Sequence, residues 1–220
     1  TTSALENGVE EINPAISLIE ESKLRNVKKC LLITPYNDKL GKEIMKIILA
    51  STSPRRKELL EREGIDFIID ASSITEYLDS SLEIEERLKK LAYDKGVSIH
   101  EKYPDDVVIS ADTTIYHNGK IIGKAHSAHE AREILVSLSS DTHSVFTSVA
   151  VFYKDQVCTF VDETKVTFKN INDMIDDYLS IDEWKGKAGA YAIQGVAGKF
   201  IKEVQGDIDN VIGLPVKHVI

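Results

Sequence analysis

The stretch Ile47-Ile-Leu-Ala-Ser-Thr-Ser-Pro-Arg-Arg-Lys-Glu-Leu-Leu60 reads as a buried strand that runs directly into a helix. Ile47, Ile48, Leu49 and Ala50 form a short continuous apolar run, which suits a strand covered on both faces. Ser53 is a natural N-cap, and Pro54 fits the first helical position, where a missing N–H costs nothing. Leu59 and Leu60 carry the helix on, and Gly64 suits its C-terminal stop. A helix start presents unpaired N–H groups and the positive end of the macrodipole, so it attracts anions. Here it also carries two hydroxyls, Ser51 and Ser53, and two guanidinium groups, Arg55 and Arg56. Arginine forks match phosphate oxygens two at a time. Without glycines or a Gly-Lys-Ser the segment is not a P-loop.

The remainder of the chain supplies alternating elements around this junction. Phe67 to Ala71 reads as a strand and is followed by a polar loop holding Glu76. Ser80 with Glu83 makes a capping box for a helix with Ile84, Leu88, Leu91 and Ala92 at helical spacing, on which Lys95 sits. Val107 to Tyr116 reads as a strand that contains Asp112 and Thr113. Asn118-Gly119 is a hairpin turn leading back through Lys120 to Lys124. Ser127 and Glu130 open a further helix with Ala131, Ile134, Leu135 and Leu138 inward. Val145–Tyr153 and Val157–Phe168 then form a long antiparallel hairpin, and a short helix covers Ile171 to Leu179. Alternating βα units followed by a long hairpin predict a mixed-sheet α/β domain. Residues 46–220 hold all of these signals, and residues 1–45 read as a partly ordered N-terminal extension.

At 220 residues the chain is long enough to bury a substantial core. Its 27 basic and 36 acidic residues give a net charge of −9, which disfavours a general nucleic-acid or anionic-membrane binder. A polyanionic substrate would therefore need a locally basic pocket. Cys30 and Cys158 lack CxxC spacing, which argues against a disulfide framework or Cys-based zinc site and makes a reducing cytoplasm the default. No apolar run approaches the roughly 20 residues of a membrane span.

Three further features could carry chemistry. Asp112 emerges from an apolar strand, where a carboxylate is costly unless paired, hydrogen-bonded or metal-bound, so it is a candidate general base or metal ligand. Counting from a two-residue Asn118-Gly119 loop pairs position 113 with 124 and puts Lys124 on the face opposite Asp112. Bringing both to one site therefore predicts an irregularity between Asn118 and Gly123; alone, Lys124 would be a solvated edge lysine. Gly186-Lys-Ala-Gly-Ala-Tyr-Ala-Ile-Gln-Gly195 is either a packed loop with a structural glutamine or a close-approach surface where the Gln194 amide meets a base edge. Glu76 and Lys95 carry little signal alone. His126 and His129 have metal-ligand spacing but no third ligand, and read as surface residues.

Five separated motifs together resemble the Maf family of nucleoside triphosphate pyrophosphatases. They are Ser51 to Arg56, Ala111-Asp-Thr113, Gly123-Lys124, Gly186 to Gly195, and Val211-Ile-Gly-Leu-Pro215. The resemblance implies an elongated mixed sheet flanked by helices, in two lobes with a nucleotide cleft between them, as in Maf and ITPase-like folds. It implies hydrolysis of a nucleoside triphosphate to the monophosphate and pyrophosphate with a divalent cation, Mg²⁺ or Mn²⁺. Carried over, Asp112 activates water, and Ser51, Arg55, Arg56, Lys95 and Lys124 surround the triphosphate, with Ser53 beside them. Asp112 and Glu76 hold the metal. Arg55, Thr113 and Gln194 resemble the branch acting on dTTP and UTP rather than the 7-methyl-GTP branch. Departures from the family pattern are Ala125 for proline, Ala192 for glycine and Ile208 for an aromatic. The expected partner is the nucleotide, without nucleic acid or membrane, and a homodimer is an open option. The competing expectations are a non-catalytic nucleotide-binding regulator of cell division and septum formation, and a cleaner of ITP- or XTP-type purine triphosphates.

Overall fold

The computed structural model describes residues 45–71, 74 and 81–220. The expected N-terminal extension, Glu76 and Ser80 lie outside these residues. Strand β1 (Ile47–Leu49) leads into helix α1 (Pro54–Arg62), followed by β2 (Ile68–Ile69), α2 (Ile84–His100), β3 (Val107–His117) and β4 (Lys120–Ile122). Helix α3 (Ala128–Leu138) precedes the long hairpin β5 (Thr142–Tyr153) and β6 (Gln156–Phe168). A 3₁₀ turn (Asn172–Met174) enters α4 (Ile175–Ser180). A second 3₁₀ segment (Val196–Phe200) then enters β7 (Ile201–Gln205), and α5 (Ile208–Ile212) and α6 (Val216–Val219) complete the described chain.

The seven strands form one mixed sheet in the order β2-β1-β3-β5-β6-β7, with β4 paired to β3. β1 runs parallel to β2 and β3, while β3, β5 and β6 pair antiparallel. The apolar run of β1 is explained by what covers it. Ile47 and Leu49 pack on one face with Leu59 and Leu60 of α1, and Ile48 packs on the other with Ala92 and Ile99 of α2. Side-chain alternation turns three consecutive apolar residues into two buried faces.

Helix α1 ends as glycine at position 64 predicts. Gly64 has φ 72°, its N–H donates to the Glu61 carbonyl at 3.0 Å, and the Ile65 N–H donates to the Leu60 carbonyl at 3.1 Å. These are the paired bonds of a Schellman stop. Ser53 occupies the N-cap position, but its hydroxyl caps no N–H. Its own N–H instead donates to Ser51 Oγ at 3.2 Å. Glu83 holds the N-cap position of α2, also without a side-chain cap bond. The Ser127–Glu130 box forms in altered form: Ser127 Oγ accepts from the Glu130 N–H, while the Glu130 carboxylate accepts from the His126 N–H. β2 is shorter than expected because only two residues meet β1. Cys158 on β6 is disulfide-bonded, although the cysteine spacing argued against a disulfide framework.

Three apolar cores lie against the one sheet: that of Ile48 and α2, described above, and two more along its length. The first gathers Leu49, Leu59, Ile109, Val149, Val151 and Phe160. The second gathers Ile115, Leu135, Val145, Val166, Phe168, Tyr178 and Phe200. β3, β5 and β6 contribute to both, so the lobes share a sheet and cannot move as unlinked bodies. Between the cores the sheet turns polar: Asp112 lies opposite Ser148 and Thr113 opposite Thr147. Thr147 and Ser148 are fully buried. The expected mixed α/β architecture, with a long sheet flanked by helices, is what the chain adopts.

Candidate active site

A cleft of about 600 Å³ opens where α1 begins, beside the polar belt of β3. Ser51, Ser53, Arg55, Arg56, Lys95, Asp112, Thr113, Lys124 and Gln194 all line it. Of the site residues expected from the sequence, Glu76 lies outside the described residues.

Arg56 ties the floor of the cleft together. Its Nε donates to the Gly213 carbonyl at 2.8 Å, Nη1 to Ser51 Oγ at 2.9 Å and Nη2 to Thr113 Oγ1 at 3.2 Å. One guanidinium thereby links the strand–helix junction, β3 and the turn after α5, using the fixed fork that arginine provides. Thr113 Oγ1 also meets Thr147 Oγ1 at 3.0 Å, and Thr147 Oγ1 donates to the Asn210 carbonyl at 2.8 Å. Gly213 has φ 138°, a conformation that favours glycine, while a Cβ there would make only ordinary van der Waals contact with Thr113 and Arg56.

Asp112 faces the other way along the pleat. Lys95 Nζ, from α2, donates to its Oδ1, and Thr114 Oγ1 donates to Oδ2 at 3.0 Å. The side chains of Lys95 and Asp112 are 17% and 15% exposed, so the pair is shielded yet reachable from the cleft. The cost of a carboxylate emerging from an apolar strand is thus met by an ion pair and a hydroxyl.

Lys124 reaches the cleft by a different route from the one expected. The Asn118-Gly119 turn is a regular two-residue turn, with positive φ at both residues and register Ile115–Ile122, Tyr116–Ile121 and His117–Lys120. The irregularity anticipated in the turn is absent. Instead β4 stops at Ile122, the Gly189 N–H donates to the Gly123 carbonyl at 3.0 Å, and Lys124 forms a bridge with Ala188. The segment has changed partner before Lys124, so counting faces from β3 no longer applies to it.

Two lysines that the sequence did not single out complete the wall: Lys185 and Lys187. Asp182 pairs with Lys185 at 2.7 Å. Burial pulls the Lys187 ammonium below its ordinary pKa, and the nearby Arg55 charge adds to that, while Glu183 opposes it. Burial likewise lowers Arg55, against the opposing influence of Glu58 and Tyr178. Two cations that destabilise one another across a cleft are poised for an anion. Among the described lining residues there are six cationic side chains and a single carboxylate, Asp112. The cleft is thus locally basic in a chain of net charge −9. A lysine in a glycine-rich loop normally reads as solvated, and only its juxtaposition with Arg55 distinguishes it.

Gln194 is exposed and lines the cleft together with Tyr191. Tyr191 is buried, and its hydroxyl meets His143 Nε2 at 2.8 Å. Burial lowers the His143 pKa to about 4, so its imidazole stays neutral at pH 7. Ala192, where the family pattern has glycine, has no left-handed φ and is accommodated; the left-handed positions of this loop are Gly186, Gly189 and Ala190, at φ 70°, 66° and 58°. Ala125 is buried in the second core. Ile208 is 52% exposed on α5 and does not line the cleft. His126 and His129 are exposed, as read from the sequence.

The fold and the cleft define a class: a mixed α/β protein with a basic cleft beside the polar belt between two cores of one sheet. The Maf-like protein family model matches residues 46–220, and the chain belongs to the Maf family. A dTTP/UTP pyrophosphatase of Pyrococcus abyssi is 43% identical over 175 residues, covering 79% of this chain and 92% of that protein. A dTTP/UTP pyrophosphatase of Bacillus cereus is 40% identical over 183 residues, covering 83% and 90%. One from Halalkalibacterium halodurans is 41% identical over 175 residues, covering 79% and 92%.

Proposed function

We propose that this chain is a nucleoside triphosphate pyrophosphatase that hydrolyses dTTP, UTP and related or modified pyrimidine triphosphates to the monophosphate and pyrophosphate. The observation that carries this is the cleft itself, with six cations gathered about one lysine-held carboxylate at a helix start. The names of the relatives support the same substrates.

Hydrolysis at the α-phosphorus requires an in-line water, a group to take its proton, and positive charge against the leaving pyrophosphate. Asp112 receives the proton as the water oxygen bonds to phosphorus and the bond to the pyrophosphate oxygen breaks. Lys95 and Thr114 fix its carboxylate for that task. Arg56, Lys124 and Ser51 grip the phosphates, Ser53 and the opening of α1 add N–H and hydroxyl donors, and Arg55 sits with Thr113 and Gln194 in substrate choice. Gln194 meets the base edge, where its amide both donates and accepts.

Among the described residues no cluster of three or more side chains could hold a metal ion unaided. One carboxylate nevertheless fits Mg²⁺, which is commonly bound by one or two carboxylates with substrate phosphates and water. Asp112 would hold it, with Glu76 as second ligand. A bound Mg²⁺ or Mn²⁺ supplies positive charge against the phosphate oxygens. On this account residues 46–220 are the catalytic domain, residues 1–45 an extension of it, and the site of action the cytoplasm. No helix among the described residues is long and apolar enough to cross a membrane.

The test is a panel of dTTP, UTP, ITP and 7-methyl-GTP with and without Mg²⁺ or Mn²⁺, reading pyrophosphate. Metal-dependent pyrophosphate release from dTTP and UTP is expected. Release of orthophosphate, binding without turnover, or preference for ITP would each overturn the proposal.

A further inference from the structure

We propose that Glu183 is the positioning residue for the base-reading end of the cleft, clamping the backbone that follows Gln194. The proposal rests on the assignment of Gln194 to the nucleobase given above. Gln194 is exposed, and a long side chain on an exposed loop reads a base edge only if its backbone is held. The loop is anchored upstream by Tyr191, through its buried hydrogen bond to His143. Downstream it is anchored by Glu183. One carboxylate oxygen accepts from the Val196 N–H at 2.9 Å, and the other from the Ala197 N–H at 3.4 Å. These two N–H groups open the 3₁₀ segment Val196–Phe200, where a negative charge is favoured. The Tyr178 hydroxyl approaches the same carboxylate at 3.5 Å.

Gly195 is an independent sign of the clamp. Its φ of −100° and ψ of −155° are extended backbone that any residue can adopt, so its conformation does not require glycine. A Cβ at this position, however, would lie 2.5 Å from the Glu183 carboxyl carbon. A side chain here would push the carboxylate off the Val196 and Ala197 N–H groups. Glu183 also lies two residues before Lys185 and four before Lys187, both in the cleft wall. One side chain therefore ties the segment that leads to the cleft lysines to the backbone that follows Gln194.

The experiment compares the wild type with Glu183→Ala, Gly195→Ala, Gln194→Ala and Glu183→Ala/Gln194→Ala. It measures kcat and KM for dTTP and GTP, and amide exchange of the peptide containing Val196 and Ala197. The clamp predicts faster exchange in both Glu183→Ala and Gly195→Ala. It also predicts an approximately tenfold loss of preference for dTTP, carried by KM, with kcat changed less than about threefold. Adding Glu183→Ala to Gln194→Ala should remove no further preference. Unchanged exchange in Glu183→Ala overturns the clamp, as does a preference loss that adds fully to that of Gln194→Ala. If Gln194→Ala alone keeps the preference for dTTP, the assignment of Gln194 has failed, and the exchange data still decide whether Glu183 holds the loop. Gly195→Ala keeps the carboxylate and its charge, so it tests the geometry even if Glu183→Ala folds poorly.

Discussion

Replacing Arg56 with lysine keeps the charge in the cleft and removes the fork. The three acceptors of Arg56 lie on separate parts of the chain, at Ser51, Thr113 and Gly213. An ammonium on a flexible stem cannot reach all three in the same geometry. Each hydrogen bond contributes about 0.5–1.5 kcal/mol net, and Arg56 is only half-buried, so water replaces part of what is lost. The expected destabilisation is about 1.5–3 kcal/mol. At roughly 2–4 °C per kcal/mol for a chain of this length, Tm should fall by about 3–12 °C. Activity should fall further than stability, because the phosphate grip and the Thr113 hydroxyl lose register together. A misplacement of that kind costs on the order of 10²-fold in kcat/KM. Thermal unfolding followed by steady-state kinetics on dTTP, at a temperature where both proteins are folded, separates the two effects. A Tm within about 2 °C of wild type together with kcat/KM within about twofold would refute the hub role of Arg56.

Other perturbations probe different parts of the account. Asp112→Asn keeps the shape and removes the proton acceptor, so kcat should fall by about 10²–10⁴-fold, measured as pyrophosphate release, while the fold persists. His143 is the pH-sensitive element of the second core. Burial lowers its pKa from 6.5 to about 4, so the unfolded chain binds the extra proton between those values. Stability is then complete above about pH 6.5 and declines as pH falls toward 4, by up to about 3 kcal/mol. A His143→Gln variant should show a flatter dependence of Tm on pH across that window, checked by thermal melts at half-unit steps. Gly189→Ala introduces a side chain at φ 66°, directed into the Ile115 side chain. It should destabilise by roughly 2–4 kcal/mol and weaken the attachment of the Lys124 segment, seen as lowered Tm and a raised KM for dTTP.

Much of the architecture was legible because local chemistry and tertiary context agree. The four-residue apolar run before Ser51 signalled a doubly covered strand, and Asn118-Gly119 signalled a tight hairpin; both formed. Lys124 shows where counting fails. The turn is regular, but the chain exchanges β3 for the loop at Ala188 before Lys124, and no local pattern marks that exchange. Lys185, Lys187 and Glu183 were illegible for a related reason. Each looks like a solvated charge in sequence and gains its meaning from Arg55, Gln194 or Gly195, brought near by folding. Asp112 was legible through cost: a carboxylate within an apolar strand needs a partner, and Lys95 supplies one from a different element.

The most direct test of the central claim is the fate of oxygen when dTTP is hydrolysed in ¹⁸O-labelled water and the products are resolved by mass spectrometry. Water directed by Asp112 onto the α-phosphorus predicts label in dTMP and unlabelled pyrophosphate. Label in the pyrophosphate, or dTDP with labelled orthophosphate, would contradict it.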